Sequence, residues 1–248
     1  TTLEFEVIIN PNPAPIEDST ETTCVDSILA LSPNGGLVTI EETIGTETNL
    51  STANTTTADL GPNPLQTYYG NTKQQWIYTA DELTNIGFVS GSTINSITLH
   101  LSQANNYVLN NLTVKMKNST TAAFASTSSW ESDMVVVKDA SSHTTVVGDN
   151  TFVLDTPFLW DGVSNLVVEI NYMNDNSGGG NGNFTRAYYS NTSFNSTLFY
   201  RYDGTAHTAD TYTGTATAML SKRNNVTFSI SNPVTITWTP QQNLYIDS

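Results

Sequence analysis

The chain has 248 residues, with 8 Lys or Arg against 23 Asp or Glu, for a formal net charge of −15. That acidity opposes a nucleic-acid backbone or an anionic membrane surface, and no apolar run reaches membrane-span length. Charged residues make up only 12%, about half the usual share, so Thr, Ser and Asn must supply most of the polar surface.

Apolar content of 38% with 10% aromatics is enough for one large β-domain with a substantial core. Cys24 is the one cysteine, which excludes an internal disulfide framework. No basic residue precedes Lys73, whereas Glu4, Glu6, Glu17, Asp18, Glu41, Glu42 and Glu47 all do. Solubility by net charge accounts for this. Ca²⁺ held by loop carboxylates is the sharper alternative.

In chain order, Leu3, Phe5 and Val7 alternate with Glu4 and Glu6, a short strand with one acidic face. Residues 10–18, NPNPAPIED, form a Pro-stiffened connector of the kind that joins domains. A second unit follows, with a short strand over 28–31, a turn at Pro33-Asn34-Gly35-Gly36, and a strand marked by Val38, Ile40 and Ile44. Residues 45–67 are rich in Thr, Asn and Pro and are expected to lie on the surface. In KQQWIYT, Trp76 and Tyr78 share a face. Thr79 and Glu82 then make a capping box, Leu83 and Ile86 an apolar pair, and Gly87 a stop, which together predict one or two helical turns.

From Ser92 onward the period is two. Ile97, Leu99 and Leu101 mark one strand, Leu112, Val114 and Met116 a second, and Phe152 and Leu154 another. The strongest strand is in TPFLWDGVSNLVVEINY (156–172). Leu166, Val168, Ile170 and Tyr172 face one way and Val167, Glu169 and Asn171 the other, so a half-buried central strand is expected after an Asp161-Gly162 turn. Leu198, Tyr200 and Tyr202, then Val226, Phe228 and Ile230, complete the series, and Val234, Ile236 and Trp238 begin a new one. Short strands at such spacing predict an all-β fold, a jelly-roll-like β-sandwich, with a closed barrel as the alternative.

Candidate chemistry is sparse. His100, His143 and His207 are scattered and lack metal-site spacing. No nucleophile elbow of the G-x-S-x-G type occurs. Glu131 and Asp133 in WESD are the nearest approach to a paired carboxylate set, and a solvated loop or strand edge explains them more simply. The loop NDNSGGGNGN (174–183) presents Asp175 and Asn176, which could hold Ca²⁺ but lack the EF-hand order. A hairpin tip is the simpler reading. Tyr188 and Tyr189 are the candidate exposed aromatic pair for stacking on sugar rings, against the alternative that alternate aromatics fill the core.

Five stretches carry a resemblance: YGNTKQQWIYTADEL, GSTINSITLHL, LNNLTVKMKNST, TSSWESDMVVV and FVLDTPFLWDGVSNLVVEINY. Together they resemble a β-sandwich module of large Bacteroidota cell-surface proteins exported by the type IX secretion system. The resemblance spans about residues 45–231. EFEVIINPNPAP resembles the last strand and linker of an immunoglobulin-like repeat, and TCVDSILALSPNGG and VTITWTPQQNLYIDS resemble opening pieces of such repeats. It implies three parts: residues 1–44 as the end of one repeat, linker and start of the next unit, 45–231 as the sandwich, and 232–248 as the start of a following segment. It also implies an extracellular, adhesin-like module, as in gliding-motility adhesins, that works beside neighbouring modules of its own chain. It supplies no catalytic residues. A carbohydrate-binding module attached to a secreted enzyme, recognising surface glycans, is the second expectation, and a glycosidase the third.

Overall fold

The structure is a computed structural model and describes residues 5–10, 36–51, 61–174 and 184–240. Among the described residues, fifteen strands follow one another with one short α-helix and one 3-10 turn at Ala209–Thr211. They are β1 (Phe5–Asn10), β2 (Leu37–Ile44), β3 (Asn49–Leu50), β4 (Asn71–Tyr78), helix α1 (Ala80–Asn85), β5 (Thr93–Gln103) and β6 (Val108–Ser119). Next come β7 (Val135–Thr144), β8 (Gly148–Leu159), β9 (Asn165–Met173), β10 (Arg186–Asn191) and β11 (Thr197–Tyr202). The last are β12 (Ala218–Leu220), β13 (Lys222–Asn224), β14 (Val226–Pro233) and β15 (Thr235–Pro240).

Two antiparallel sheets pack face to face, so the expected all-β sandwich is what forms. One sheet has six strands in the order β12-β11-β4-β9-β6-β7. The other runs β13-β10-β5-β14-β2, with β8 on the far edge of β5 and β3 beside β10. β2 pairs with β14 along its whole length, which places Leu37–Ile44 inside a sandwich sheet, ahead of residue 45. β1 and β15 pair with each other as a separate two-stranded sheet.

The period-two positions build the core. Trp76 and Tyr78 of β4, Leu166, Val168, Ile170 and Tyr172 of β9, and Leu112, Val114 and Met116 of β6 meet Ile97, Leu99, Phe152 and Phe228 of the other sheet. Each such side chain contributes roughly 1.5–3 kcal/mol by leaving water. Phe228 lies edge-on to Tyr78 at 5.1 Å and to Phe88 at 5.6 Å, tying the end of β4 to the loop after α1.

The helix forms where its capping signals stand. Thr79 accepts from the Glu82 backbone N–H, and the Glu82 carboxylate returns a bond to the Thr79 N–H. Gly87 ends it at φ +95°.

Two expectations need correction. The last seven residues of the expected surface segment, 61–67, are buried, with Leu65 in the core. Their polar side chains make that burial tolerable. Asn63 Nδ2 donates to the Thr185 carbonyl at 3.1 Å, and the Gln66 amide bonds Thr72 at 2.7 Å and the Tyr172 hydroxyl at 2.8 Å. Strand β9, expected to be half-buried, is buried on both faces, Val167, Glu169 and Asn171 included. The connection from β6 to β7 and the chain after β11 fold over its outer face. Phe124 and Ala216 pin that cover to Ile77, Val167 and Leu198.

Candidate functional site

The outer face of the six-stranded sheet carries the most unusual chemistry of the described residues. Register puts Lys73 of β4 opposite Asn171 of β9, which lies opposite Thr113 of β6. One step on, Gln75, Glu169 and Lys115 stand side by side. Alternate residues share a face, so these polar groups all point away from the apolar core. The cover then removes them from water, and Glu169 is left 1% exposed.

Glu169 is saturated. Its Oε2 lies 3.3 Å from Lys73 Nζ and accepts from Gln75 Nε2 at 2.7 Å. Its Oε1 lies 3.4 Å from Lys115 Nζ and accepts from Asn171 Nδ2 at 2.9 Å. Lys115 also meets Asp210 at 2.5 Å, and Lys73 donates to the Tyr212 carbonyl at 2.9 Å. Two ammonium groups thus face two carboxylates, with Lys73 and Glu169 buried and Asp210 reaching the surface. Burial disfavours the charge on Lys115, but Glu169 and Asp210 overcome it and hold its pKa above the ordinary lysine value.

A second pair flanks the first. Glu131, in the loop before β7, takes Lys117 at 2.8 Å and bonds the hydroxyls of Ser119 and Thr121. Gln75 clamps the Glu131 backbone through a donated bond of 3.0 Å and an accepted one of 2.8 Å. Burial opposes ionisation of Glu131, but these partners hold its pKa below the usual carboxylate value. The WESD segment is a loop, as expected, but Glu131 is tied down instead of solvated.

Aromatic rings form part of the cover. Tyr200 and Tyr212 stack at 3.8 Å, 5° from parallel, with His207 at 5.1 Å from Tyr212. Trp130 meets Tyr212 edge-on at 6.5 Å, donates from Nε1 to the Gly214 carbonyl at 2.7 Å, and lies under the Lys73 ammonium at 5.2 Å. Burial, then the hydrogen bond with Tyr212, pushes the Tyr200 phenol up to about 12. His207 is exposed, and Trp130, Tyr200 and Tyr212 are half-buried, so this group can stack on an apolar ring face at the surface.

The opposite outer face is built differently. Thr43, Thr227, Thr98 and Thr151 stand in one rank across β2, β14, β5 and β8. Thr43 bonds Thr227 at 2.7 Å and Thr98 bonds Thr151 at 2.9 Å. The neighbouring rank reads Glu41, Ser229, Ser96 and Val153. The strand backbones that carry these ranks run about 4.8 Å apart. No described loop segment seals these ranks, and Thr43 and Thr151 are exposed.

Of the sequence candidates, Tyr188 and Tyr189 are neighbours on β10 and half-buried. Adjacent strand residues point to opposite sides. Tyr189 lies so close over Gly61 that a Cβ there would sit 2.7 Å from its ring. Tyr188 joins His100, Thr43 and Asn225 along a shallow cleft. The two rings therefore make no shared platform. Asp175 and Asn176 lie outside the described residues, and among the described residues no three His, Cys, Asp or Glu gather as metal ligands. His100 pairs with Asp149 at 2.5 Å, and His143 bonds Asn150 at 3.0 Å.

The Glu169 cluster was not anticipated from the sequence. One signal did point to it. Three of the chain's eight basic residues, Lys73, Lys115 and Lys117, occupy alternate positions of strands whose other face carries core side chains, Trp76 and Tyr78 on one and Leu112, Val114 and Met116 on the other. No family model matches the chain, and no curated protein matches it significantly.

Proposed function

We propose that the chain is a non-catalytic structural and adhesive module of a large secreted cell-surface protein. The observation that carries the reading is the rank Thr43, Thr227, Thr98 and Thr151 with its neighbouring Ser and Thr positions. In a chain of net charge −15, the central ranks hold one carboxylate, Glu41. A neutral, hydroxyl-bearing sheet face suits broad, weak contact with another uncharged surface, because each small side chain orders at little entropic cost. The six-stranded sheet complements this. Glu169 is held by partners within the sheet, Lys73, Lys115, Gln75 and Asn171, which ties neighbouring strands together. The resemblance to type IX-secreted adhesins points the same way and adds an extracellular location and a gliding-motility setting.

Beads coated with the chain test the reading. They are expected to adhere to polysaccharide, mineral or cell-surface coats, and Thr43→Lys with Thr151→Lys is expected to weaken that adhesion several-fold without lowering the melting temperature. Beads that adhere to none of the coats, or substrate turnover by the chain, would overturn it.

A second reading, glycan recognition, is favoured by the half-buried rings of Trp130, Tyr200 and Tyr212 beside exposed His207. It shifts the aromatic site away from Tyr188 and Tyr189. A glycan-array signal lost in Tyr212→Ala and kept in Tyr188→Ala would promote it over the first.

A further inference from the structure

The Glu169 cluster places an amine, a carboxamide and a carboxyl group together without water. Lys73, Glu169 and Asn171 are 4%, 1% and 1% exposed. Lys73 and Asn171 are direct cross-strand partners, so their Cβ atoms stand about 5 Å apart. Both side chains end on the same carboxylate, Lys73 Nζ at 3.3 Å from Oε2 and Asn171 Nδ2 at 2.9 Å from Oε1. We propose that this is a self-processing site, in which Lys73 and Asn171 condense into a side-chain amide with Glu169 as the proton carrier. The inference does not depend on what the module binds.

The chemistry balances within the cluster. Lys115 pairs with Asp210 at 2.5 Å and also lies 3.4 Å from Glu169 Oε1. Lys73 Nζ lies 3.3 Å from Glu169 Oε2, and in the first step its ammonium passes a proton to that carboxylate, leaving an amine and a carboxylic acid. Lys73 is the direct cross-strand partner of Asn171, whereas Lys115 stands opposite Glu169, so register selects Lys73 as the nucleophile. A half-turn of the Asn171 amide sets its oxygen on the protonated Glu169, which polarises the carbonyl. Lys73 Nζ then attacks Asn171 Cγ, the Cγ–Nδ2 bond breaks, and the nitrogen leaves as ammonia after taking a proton from the attacking amine through Glu169. The ammonia removes the remaining acid proton as ammonium, and Glu169 returns to its carboxylate. Nothing is oxidised or reduced, and no other reactant is needed.

The product would staple β4 to β9, adjacent strands in the middle of the six-stranded sheet. A covalent link between residues so far apart in sequence restricts the unfolded chain as a long-loop disulfide does, but resists reduction. Such a staple fits a domain that bears tension.

Intact-mass spectrometry of the denatured chain is expected to read one ammonia below the sequence mass. A proteolytic digest is expected to contain one branched peptide that joins Lys73 to Asn171. Glu169→Gln is expected to restore the full mass. Lys73→Arg keeps the positive charge beside Glu169 but cannot supply a neutral amine, so it should fold, as circular dichroism would report, and also show the full mass. A wild-type chain that stays at its sequence mass after prolonged incubation overturns the proposal. So does a branch that maps to Lys115, or an ammonia loss that persists in Lys73→Arg.

Discussion

Arg223 grips Glu82 with both prongs of its guanidinium, Nη2 to Oε1 at 2.6 Å and Nη1 to Oε2 at 2.9 Å. The contact joins β13 to helix α1, and the same Arg223 donates to the Ile77 carbonyl at 2.6 Å and lies 4.2 Å from the Tyr78 ring centre. A helix of six residues does not hold in isolation. Glu82 therefore serves twice, closing the capping box and anchoring the helix to the sheet. Arg223→Ala is expected to cost about 3 kcal/mol, since it strands a partly buried carboxylate and leaves the Ile77 carbonyl unmet. Urea titration reads it as a lower midpoint at unchanged slope.

Acid should loosen the same contact. Burial opposes ionisation of Glu82, yet the hydrogen bond and charge of Arg223 prevail and hold its pKa below the ordinary 4.5. Glu131 is lowered from the same value against its own burial, chiefly by Lys117 and by the hydroxyls of Thr121 and Ser119. A depressed folded-state pKa means that the unfolded chain takes up the proton first. The stability contributed by both groups is fully present above about pH 4.5 and is lost as pH falls through the folded-state values. Melting temperature measured from pH 7 down to pH 3 should stay level and then drop. In Arg223→Ala the drop should be shallower, because the Glu82 share is already gone.

Two glycines with similar backbone angles should respond differently. Gly162 has φ +87° and Gly148 has φ +91°. A Cβ on Gly162 would meet Ser90 atoms at 2.6 and 2.7 Å, whereas one on Gly148 would meet nothing within 4 Å. Gly148→Ala is expected to cost about 1 kcal/mol, the left-handed penalty alone. Gly162→Ala should cost roughly 3 kcal/mol, since it adds a steric clash with the backbone of another loop. Equal losses in thermal melts of the two variants would contradict the close packing of the Asp161-Gly162 turn against Ser90.

The cover over Glu169 rests on few apolar anchors. Phe124 is 1% exposed and packs in the outer cluster with Ile77, Val167 and Leu198. Phe124→Ala is expected to cost about 3 kcal/mol. It should also open the loop before β7, raising hydrogen exchange and protease cleavage around Glu131 while the core of β5 and β14 stays protected. Val163→Ala, at a position 79% exposed, is the neutral control.

Sequence alone determined the inner layer. Alternation in β4, β5, β6, β9 and β14 assigned Trp76, Ile97, Val114, Ile170 and Phe228 to one buried face, because strand geometry turns every second residue the same way. The capping pair Thr79 and Glu82 was legible too, since a cap is a local bond between residues three apart. Tertiary structure alone decided the outer layers. Glu169 and Asn171 read as solvent-facing by pattern, and their burial depends on Phe124 and Ala216, distant in the chain and embedded in segments without periodicity. The separation of Tyr188 from Tyr189 and the meeting of Lys73 with Asn171 follow from pleat and strand register. Register depends on which strands become neighbours, and pairing is a property of the whole sheet that no local window of sequence encodes.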